Sequence, residues 1–185
     1  MNGNRVALVV AVAVVLLLGG WWLSTRGNGP DSVDLVETLG TATKAPAGAT
    51  IETVEATING ETLRAISAAP PTRIIWKLTI PDNAWLRVSM GTKEESWTQE
   101  GNGTYFLVGV SDGQRFDELF TEHVNPFGNP GDRKWIPVWV DLSAYAGEEV
   151  EVIFNTRAGP PEPAGAADDT RHDTALWGAP AIVVR

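Results

Sequence analysis

Residues with side chains able to do chemistry are few in this chain of 185 residues. There is no cysteine, so thiol nucleophiles, thiolate metal sites and disulfides are excluded. The two histidines, His123 and His172, are not accompanied by a G-x-S-x-G turn that would present a serine nucleophile. His123 stands alone in the sequence, and His172 lies in an acidic loop that is more typical of solvated surface than of a metal site. The sequence therefore predicts a protein that is not an enzyme.

The carboxylates of this chain are compatible with one kind of metal site, a calcium site. Calcium takes oxygen ligands from Asp, Glu and loop carbonyls and needs no fixed spacing. The candidate ligands are Glu52, Glu55, Asp141 and Asp173, the last in the acidic loop of residues 168–173. They follow no EF-hand-like register, and residues of this kind usually face solvent. We therefore expect that no cofactor is required, with a structural calcium as the alternative.

Tryptophans are the best candidates for contact with a ligand or partner. Trp85, Trp135 and Trp139 fall on strand faces opposite to the aliphatic residues of the same segments. Exposed aromatic side chains are enriched at binding surfaces, where they stack on sugar rings or anchor a protein interface. The alternative is that loops fold over these indoles, and Trp76 and Trp177 are more simply core residues.

The elements that must position these side chains are β-strands. From residue 51 onward hydrophobic residues recur with a period of two, and turn signals separate the segments. Asn59-Gly60 and the segment EGNGT at 100–104 favour hairpins, whereas NPFGNPGD at 125–132 favours a loop. The predicted strands cover 51–58, 61–67, 73–80, 84–90, 105–110, 114–124, 134–142, 148–156 and 177–185. So many short strands without a long amphipathic helix predict an all-β, antiparallel β-sandwich.

The amino-terminal segment predicts a transmembrane helix. Val6 to Leu23 carry no charge, and a helix of this length is about long enough to cross a bilayer core. The flanking residues expected to anchor it are Arg5, Trp21, Trp22 and Arg26. A cleaved secretory signal is the alternative, but small residues are poorly placed for cleavage and the apolar run is long. We predict a single-pass protein of the bacterial inner membrane, with its amino terminus in the cytoplasm and its carboxy-terminal domain periplasmic or extracellular.

The predicted organisation has four parts. Residues 1–5 are cytoplasmic, 6–23 span the membrane, 24–50 form a connector and 51–185 form the exported sandwich. Within the connector we expect a short surface helical turn that ends at Gly40, in preference to a membrane-surface helix. The formal net charge of -9 argues against a nucleic-acid partner.

Two segments carry a family resemblance. WIPVWVDLSAYAG at 135–147, followed by WGAPAIV at 177–183, resembles the galactose-binding-like jelly rolls found in exported bacterial proteins and in carbohydrate-binding modules. The resemblance implies a two-sheet jelly roll over about residues 51–185, often with a structural calcium and sometimes with a glycan site. It implies no catalytic residue, because such domains are mostly non-catalytic.

Two functions fit these features. The first is a non-catalytic interaction module that serves as an accessory or structural subunit of a larger membrane protein assembly, with the anchor helix sharing in the contact. The second is a cell-surface carbohydrate-binding module. The interaction module is favoured by the retained anchor, the short connector and the lack of enzyme signatures. The carbohydrate-binding module is favoured by the outward tryptophans and the jelly-roll resemblance. We expect the first.

Overall fold

Alternating side chains build two antiparallel sheets in the computed structural model, which describes residues 32–160, 164–165 and 167–185. The strands are β1 (Val33–Asp34), β2 (Thr43–Ala45), β3 (Ile51–Ile58), β4 (Glu61–Ala68), β5 (Thr72–Thr79), β6 (Ala84–Thr92), β7 (Thr104–Ser111), β8 (Phe116–Val124), β9 (Ile136–Asp141), β10 (Glu149–Ala158) and β11 (Ala175–Val184). One sheet has the order β3-β4-β11-β6-β9, with β1 paired to β11. The other has the order β2-β5-β10-β7-β8. The predicted antiparallel β-sandwich is confirmed.

The β3–β4 hairpin contains the turn that its sequence predicts. Asn59 and Gly60 have φ angles of 50° and 82°, so both central residues adopt the positive φ that a type I′ turn requires. The loop predicted at 125–132 contains a 3-10 helix over Pro130–Asp132, and Asn129 caps it by accepting a hydrogen bond from the backbone N–H of Gly131. Both segments therefore connect strands as their sequences predict.

The sandwich begins before the predicted boundary at residue 51. The compact unit spans Val33–Arg185, and β1 and β2 each add a short strand to one of the two sheets. Asp34 accepts hydrogen bonds from the backbone N–H groups of Val36 and Glu37 and so starts a 3-10 helix over Glu37–Gly40. This turn lies where a helical turn was predicted, but it directs Leu35 and Leu39 into the core.

The hydrophobic core lies between the two sheets. Trp177 on β11 reaches across to the opposite sheet, with ring centroids 4.5 Å from Phe154 and 4.9 Å from Phe106. Trp76 extends the cluster, at 5.1 Å from Phe154. Trp76 and Trp177 are 3% and 1% exposed, in agreement with their expected core positions.

A second, smaller apolar cluster lies on the outer face of the six-stranded sheet. Its buried members are Ile58, Ala65, Trp135 and Leu176. The Trp135 ring lies against two glycines of the sheet, since a Cβ at Gly178 would stand 2.8 Å and one at Gly91 3.1 Å from ring atoms. These glycines allow the indole to lie close to the backbone.

The predicted membrane span cannot be placed in this sandwich. Within the described ranges, no helix is long and apolar enough to cross a membrane. Residues 1–31, which include the predicted span at 6–23 and its flanking anchors, lie outside those ranges.

Replacing Leu35 tests whether the segment before residue 51 is part of the folded domain. Leu35 is fully buried, so we expect Leu35→Ala to lower the free energy of unfolding by about 2–5 kcal/mol. Lys44→Ala, in the same segment but exposed, should change it by no more than about 0.5 kcal/mol. Urea unfolding followed by tryptophan fluorescence measures both, and equal midpoints for the two variants would show that the segment does not contribute to the core.

Candidate functional site: a cleft between loops at one end of the sandwich

Three loops meet at one end of the sandwich. The β6–β7, β8–β9 and β10–β11 loops leave the sheets at the same end. Thr104 at the start of β7 pairs with Ala158 at the end of β10 and with Val124 at the end of β8, and β6 and β11 pair through Thr92 and Ala175. Between the three loops lies an open cleft of about 440 Å³, which we call the loop cleft. It is lined by Glu100, Gly101, Asn102, His123, Asn125, Phe127, Gly128, Pro160, Ala167, Asp169 and Arg171. Its volume is within the usual range for a small-molecule site.

One aromatic ring is available in the loop cleft. Phe127 is 44% exposed, although it belongs to the Pro- and Gly-rich loop between β8 and β9. Asn125 supports this loop, because its side-chain oxygen accepts a hydrogen bond of 3.0 Å from the backbone N–H of Gly128. The ring is therefore held out toward the cleft by polar loop contacts and not by core packing.

Hydrogen bonds fix the polar side of the cleft. A ring nitrogen of His123 lies 2.7 Å from the carbonyl oxygen of Asn102, and its ring stacks on Tyr105 at 4.8 Å. The Asn102 side-chain amide donates at 3.2 Å to the carbonyl oxygens of Gly159 and Pro160 and so ties the β6–β7 loop to the β10–β11 loop. These side chains are held in place before any ligand arrives.

A charged pair closes one side of the cleft. Arg171 donates from Nε and Nη2 to the two carboxylate oxygens of Asp169, at 2.9 and 2.7 Å. This fork lowers the pKa of Asp169 to about 2, and the charge of Asp169, together with that of Glu100, raises the pKa of Arg171. The guanidinium keeps further N–H donors that can meet a hydroxyl or carbonyl oxygen of a ligand.

A buried carboxyl lines a small cavity next to the cleft, and this cavity shares Gly101, Asn125, Phe127 and Arg171 with it. Asp173 is 6% exposed, and its Oδ2 atom has no hydrogen-bond partner among the described residues, nor do Thr104 Oγ1 and Asn102 Oδ1. Burial raises the pKa of Asp173 to about 7. The nearby Thr104 hydroxyl lowers this pKa in part, although the two groups do not have regular hydrogen-bond geometry. The charge of Asp169 raises the pKa further. Buried polar atoms left unpaired are uncommon in folded proteins, and three of the four in the described residues lie at this end, the fourth being Trp76 Nε1 in the core.

The three indoles predicted to contact a ligand or partner lie outside the loop cleft. Of the three predicted indoles, Trp135 is 6% exposed, and its ring N–H donates to the carbonyl oxygen of Glu61, so it belongs to the second apolar cluster and is not available at the surface. Trp139 is 41% exposed and Trp85 is half-buried on the same outer face. The Arg185 guanidinium carbon lies 3.8 Å from the centroid of Trp139 and 5.4 Å from that of Trp85.

The predicted calcium ligands occupy separate elements. Glu52 and Glu55 lie on β3, Asp141 ends β9, and Asp173 lies before β11. The Ser143 hydroxyl and backbone N–H bind the Asp141 carboxylate and hold its pKa below the usual range. Over the described part of the chain, no three His, Cys, Asp or Glu residues are grouped so as to hold a metal ion. The calcium site therefore stays a prediction.

The residues that line the loop cleft were not among the binding residues predicted from the sequence. His123 was considered alone, and the acidic loop that contains Asp169 was taken as solvated surface. Phe127 carried the one usable signal, since an aromatic residue in NPFGNPGD has no strand neighbours to pack against. The membrane-anchor residues Arg5, Trp21, Trp22 and Arg26 lie outside the described residues.

Comparison with solved structures shows the fold. A carbohydrate-binding module of family 51 (CBM51) from a Clostridium perfringens GH95 protein, solved in complex with methyl-galactose, matches with a TM-score of 0.56 and 17% identity over 82% of this chain and 99% of that one. Tandem CBM51 modules of a family 98 glycoside hydrolase from Streptococcus pneumoniae give a TM-score of 0.54 at 10% identity, over 84% and 47%. The K1 adhesin domain of Lys-gingipain from Porphyromonas gingivalis gives 0.53 at 14%, over 83% and 97%. The chain thus has a β-sandwich fold like that of the CBM51 domains.

Comparison by sequence adds one relative. An uncharacterized protein from Archaeoglobus fulgidus is 42% identical over 108 residues, which are 57% of this chain and 25% of that protein. The chain therefore matches only about a quarter of the length of this relative. No family model matches the chain.

The pH dependence of stability tests the buried state of Asp173. A folded-state pKa of about 7, above the usual 3.8, means that the folded protein binds a proton more tightly than the unfolded chain. The free energy of unfolding should therefore fall as pH rises from about 4 through 7, and Asp173→Asn should remove this component. Urea unfolding in EDTA at several pH values measures it. A profile that is identical in the variant would contradict the assignment, and repeating the series with calcium tests the metal prediction.

Paired substitutions separate the buried indole from the exposed one. Trp135→Ala should destabilise the fold by about 3–5 kcal/mol, because it empties the second apolar cluster. Trp139→Ala should cost no more than about 1 kcal/mol, which is the usual size of an exposed cation–π contact such as that with Arg185. Thermal unfolding compares the two, and similar losses would contradict the placement of Trp135.

Proposed function

We propose that this protein is a non-catalytic glycan-binding module and that the loop cleft holds the sugar. The observation that carries the proposal is the combination of an exposed Phe127 ring with fixed polar side chains in one cleft of about 440 Å³. A sugar ring has an apolar C–H face and a rim of hydroxyl groups. An aromatic ring beside hydrogen-bond donors and acceptors complements both features.

The chemistry of the lining suits hydroxyl groups. Arg171 and the side-chain amide of Asn125 supply donors, whereas Glu100 and Asp169 supply acceptors. Since charges of both signs line the cleft, a neutral polar ligand would meet partners without a large excess of either charge. The side chains are already held by the loop contacts, which lowers the ordering cost of binding.

The structural neighbours support the same reading. The Clostridium perfringens CBM51 module was solved with methyl-galactose, and a second CBM51 module from ZmpB of that organism with GlcNAc. At 17% and 12% identity these modules share only the fold with this chain, so galactose and GlcNAc are starting ligands for a test.

Membrane attachment and export remain part of the proposal as the sequence predicts them. A single amino-terminal span would hold the module on the outer side of the bacterial inner membrane. The accessory-subunit hypothesis depends on that span, which lies outside the described residues. We rank it second, because no feature of the described sandwich points to a membrane protein subunit.

A glycan array with two matched variants tests the proposed site. Phe127→Ala should weaken binding to the recognised glycan by about tenfold or more, since a central aromatic contact commonly contributes at least about 1.4 kcal/mol. Trp139→Ala removes an aromatic of similar exposure on another surface and should bind as the wild type does.

The two variants also decide between surfaces. Loss of binding in Trp139→Ala with full binding in Phe127→Ala would move the site to the outer tryptophans. An array on which the wild-type protein binds no glycan, combined with co-purification of membrane subunits in mild detergent, would favour the accessory-subunit hypothesis instead.

A further inference from the structure

A groove of about 720 Å³ runs along the outer face of the five-stranded sheet. We call it the sheet groove. Its floor contains Leu107, Ile153 and Asn155, which alternate with core residues and so point away from the core. They are nevertheless only 4%, 5% and 9% exposed. The floor is therefore recessed below side chains on both sides.

An aromatic ring forms one wall of the sheet groove. Phe116, at the start of β8, is 47% exposed, and its ring lies over Gly109 so closely that any Cβ at this glycine would overlap it. Gly109 is thus the position that lets the ring lie on the sheet. Ala45 and Pro46, at the end of β2, line the opposite side.

Hydrogen-bonding groups stand beside the apolar floor. Arg73 donates from Nε to the side-chain oxygen of Asn155 at 2.9 Å, which fixes the amide and leaves its nitrogen without a partner among the described residues. Arg157 is exposed, and its side chain makes no hydrogen bond or ion pair with any described residue. Both groups can therefore donate to a ligand in the groove.

Charge selects the kind of ligand. The groove is lined by two guanidinium groups, Arg73 and Arg157, and two carboxylates, Glu118 and Glu151. An ionic ligand of either sign would meet like charges as well as opposite ones. A purely apolar ligand would strip water from these groups without replacing its hydrogen bonds. An apolar floor with polar edges and no net charge matches a neutral, hydroxyl-rich chain.

The sheet groove lies near the loop cleft. Arg157 on β10 pairs in register with Tyr105 on β7, which pairs with His123 on β8. Arg157 lines the groove and His123 lines the loop cleft, and two strand spacings separate them by about 10 Å. Tyr105 lies between the two sites in the register, and its ring packs against that of His123 at a tilt of 37°.

From this proximity we infer that the sheet groove binds further residues of a neutral sugar chain whose end occupies the loop cleft. The inference rests on the proposed function for the loop cleft and extends it from a single sugar to an oligosaccharide. Each added residue in the groove gains apolar contact with the floor and hydrogen bonds at the edges. The two sites act as one through the shared chain, so affinity rises with chain length.

Calorimetric titration of the full chain tests the inference. The probes are methyl galactoside, N-acetylglucosamine, and neutral galacto- and chito-oligosaccharides of increasing length. The wild-type protein should bind the longer members of one series at least about tenfold more tightly than its monosaccharide. Phe116→Ala and Arg157→Ala should lose this gain and keep monosaccharide binding, whereas Phe127→Ala should lose the monosaccharide.

The outcomes separate this inference from the proposed function. If groove variants keep the full gain with length, or if the wild type shows no gain, the inference is overturned while monosaccharide binding still supports the loop cleft. If Phe127→Ala leaves every affinity unchanged, the proposal that the loop cleft binds the sugar is contradicted. The inference that one sugar chain occupies both sites is then contradicted as well. Oligogalacturonates serve as the anionic comparison, and an equal gain with length for them would overturn the neutral-ligand argument. Unchanged melting temperatures of the variants confirm that losses of binding are not losses of fold.

Discussion

The packing of Trp177 across the sandwich is the contact on which the rest of the structure depends. Its ring comes from the six-stranded sheet and meets Phe154 and Phe106 of the other sheet at 4.5 and 4.9 Å. Without disulfides, this burial must hold the two sheets at a fixed spacing. A hydroxyl group adds a polar link at one margin, where Thr156 donates to the carbonyl oxygen of Ala68 on the opposite sheet. The fixed sheets in turn determine where each loop leaves the sandwich.

The loop cleft uses a different kind of interaction from the core. Its loops are held by side-chain hydrogen bonds such as those of Asn102 and Asn125, and the apolar ring of Phe127 stays in contact with solvent. Next to it, the Oδ2 atom of Asp173 and the Thr104 hydroxyl are buried without hydrogen-bond partners in the described ranges, which costs stability. Three of the four such side-chain atoms among the described residues lie at this end, and the fourth is Trp76 Nε1 in the core. Their clustering at one end resembles a scaffold that has given up some stability to shape a site.

Strands were predictable and the site was not, for a physical reason. Alternation along a strand is local, so the nine segments from residue 51 onward were found, and the Asn59-Gly60 turn was found from two residues. The strands β1 and β2 have only two and three residues and gain their order from pairing with β11 and β5, which no local pattern reports. The loop cleft likewise needs the pairing order, because its residues come from three loops far apart in the sequence.

The tryptophans show that alternation along a strand assigns a side chain to one face of a sheet but does not determine whether it is exposed. The period of two correctly puts Trp135 and Trp139 on the outer side of their sheet, but exposure depends on what covers that side. Trp135 is covered by the β3–β4 hairpin, whereas Trp139 carries the Arg185 guanidinium at 3.8 Å on its ring. A sugar that stacked on that face of Trp139 would have to displace a cation–π contact, whereas Phe127 has no such competitor among the described residues.

The outer face of the other sheet differs again, because Gly109 and the buried Asn155 leave it a recess in place of a covering cluster. The two outer faces of one sandwich thus differ in what they can bind, and the face with the recess is the one that lies near the loop cleft.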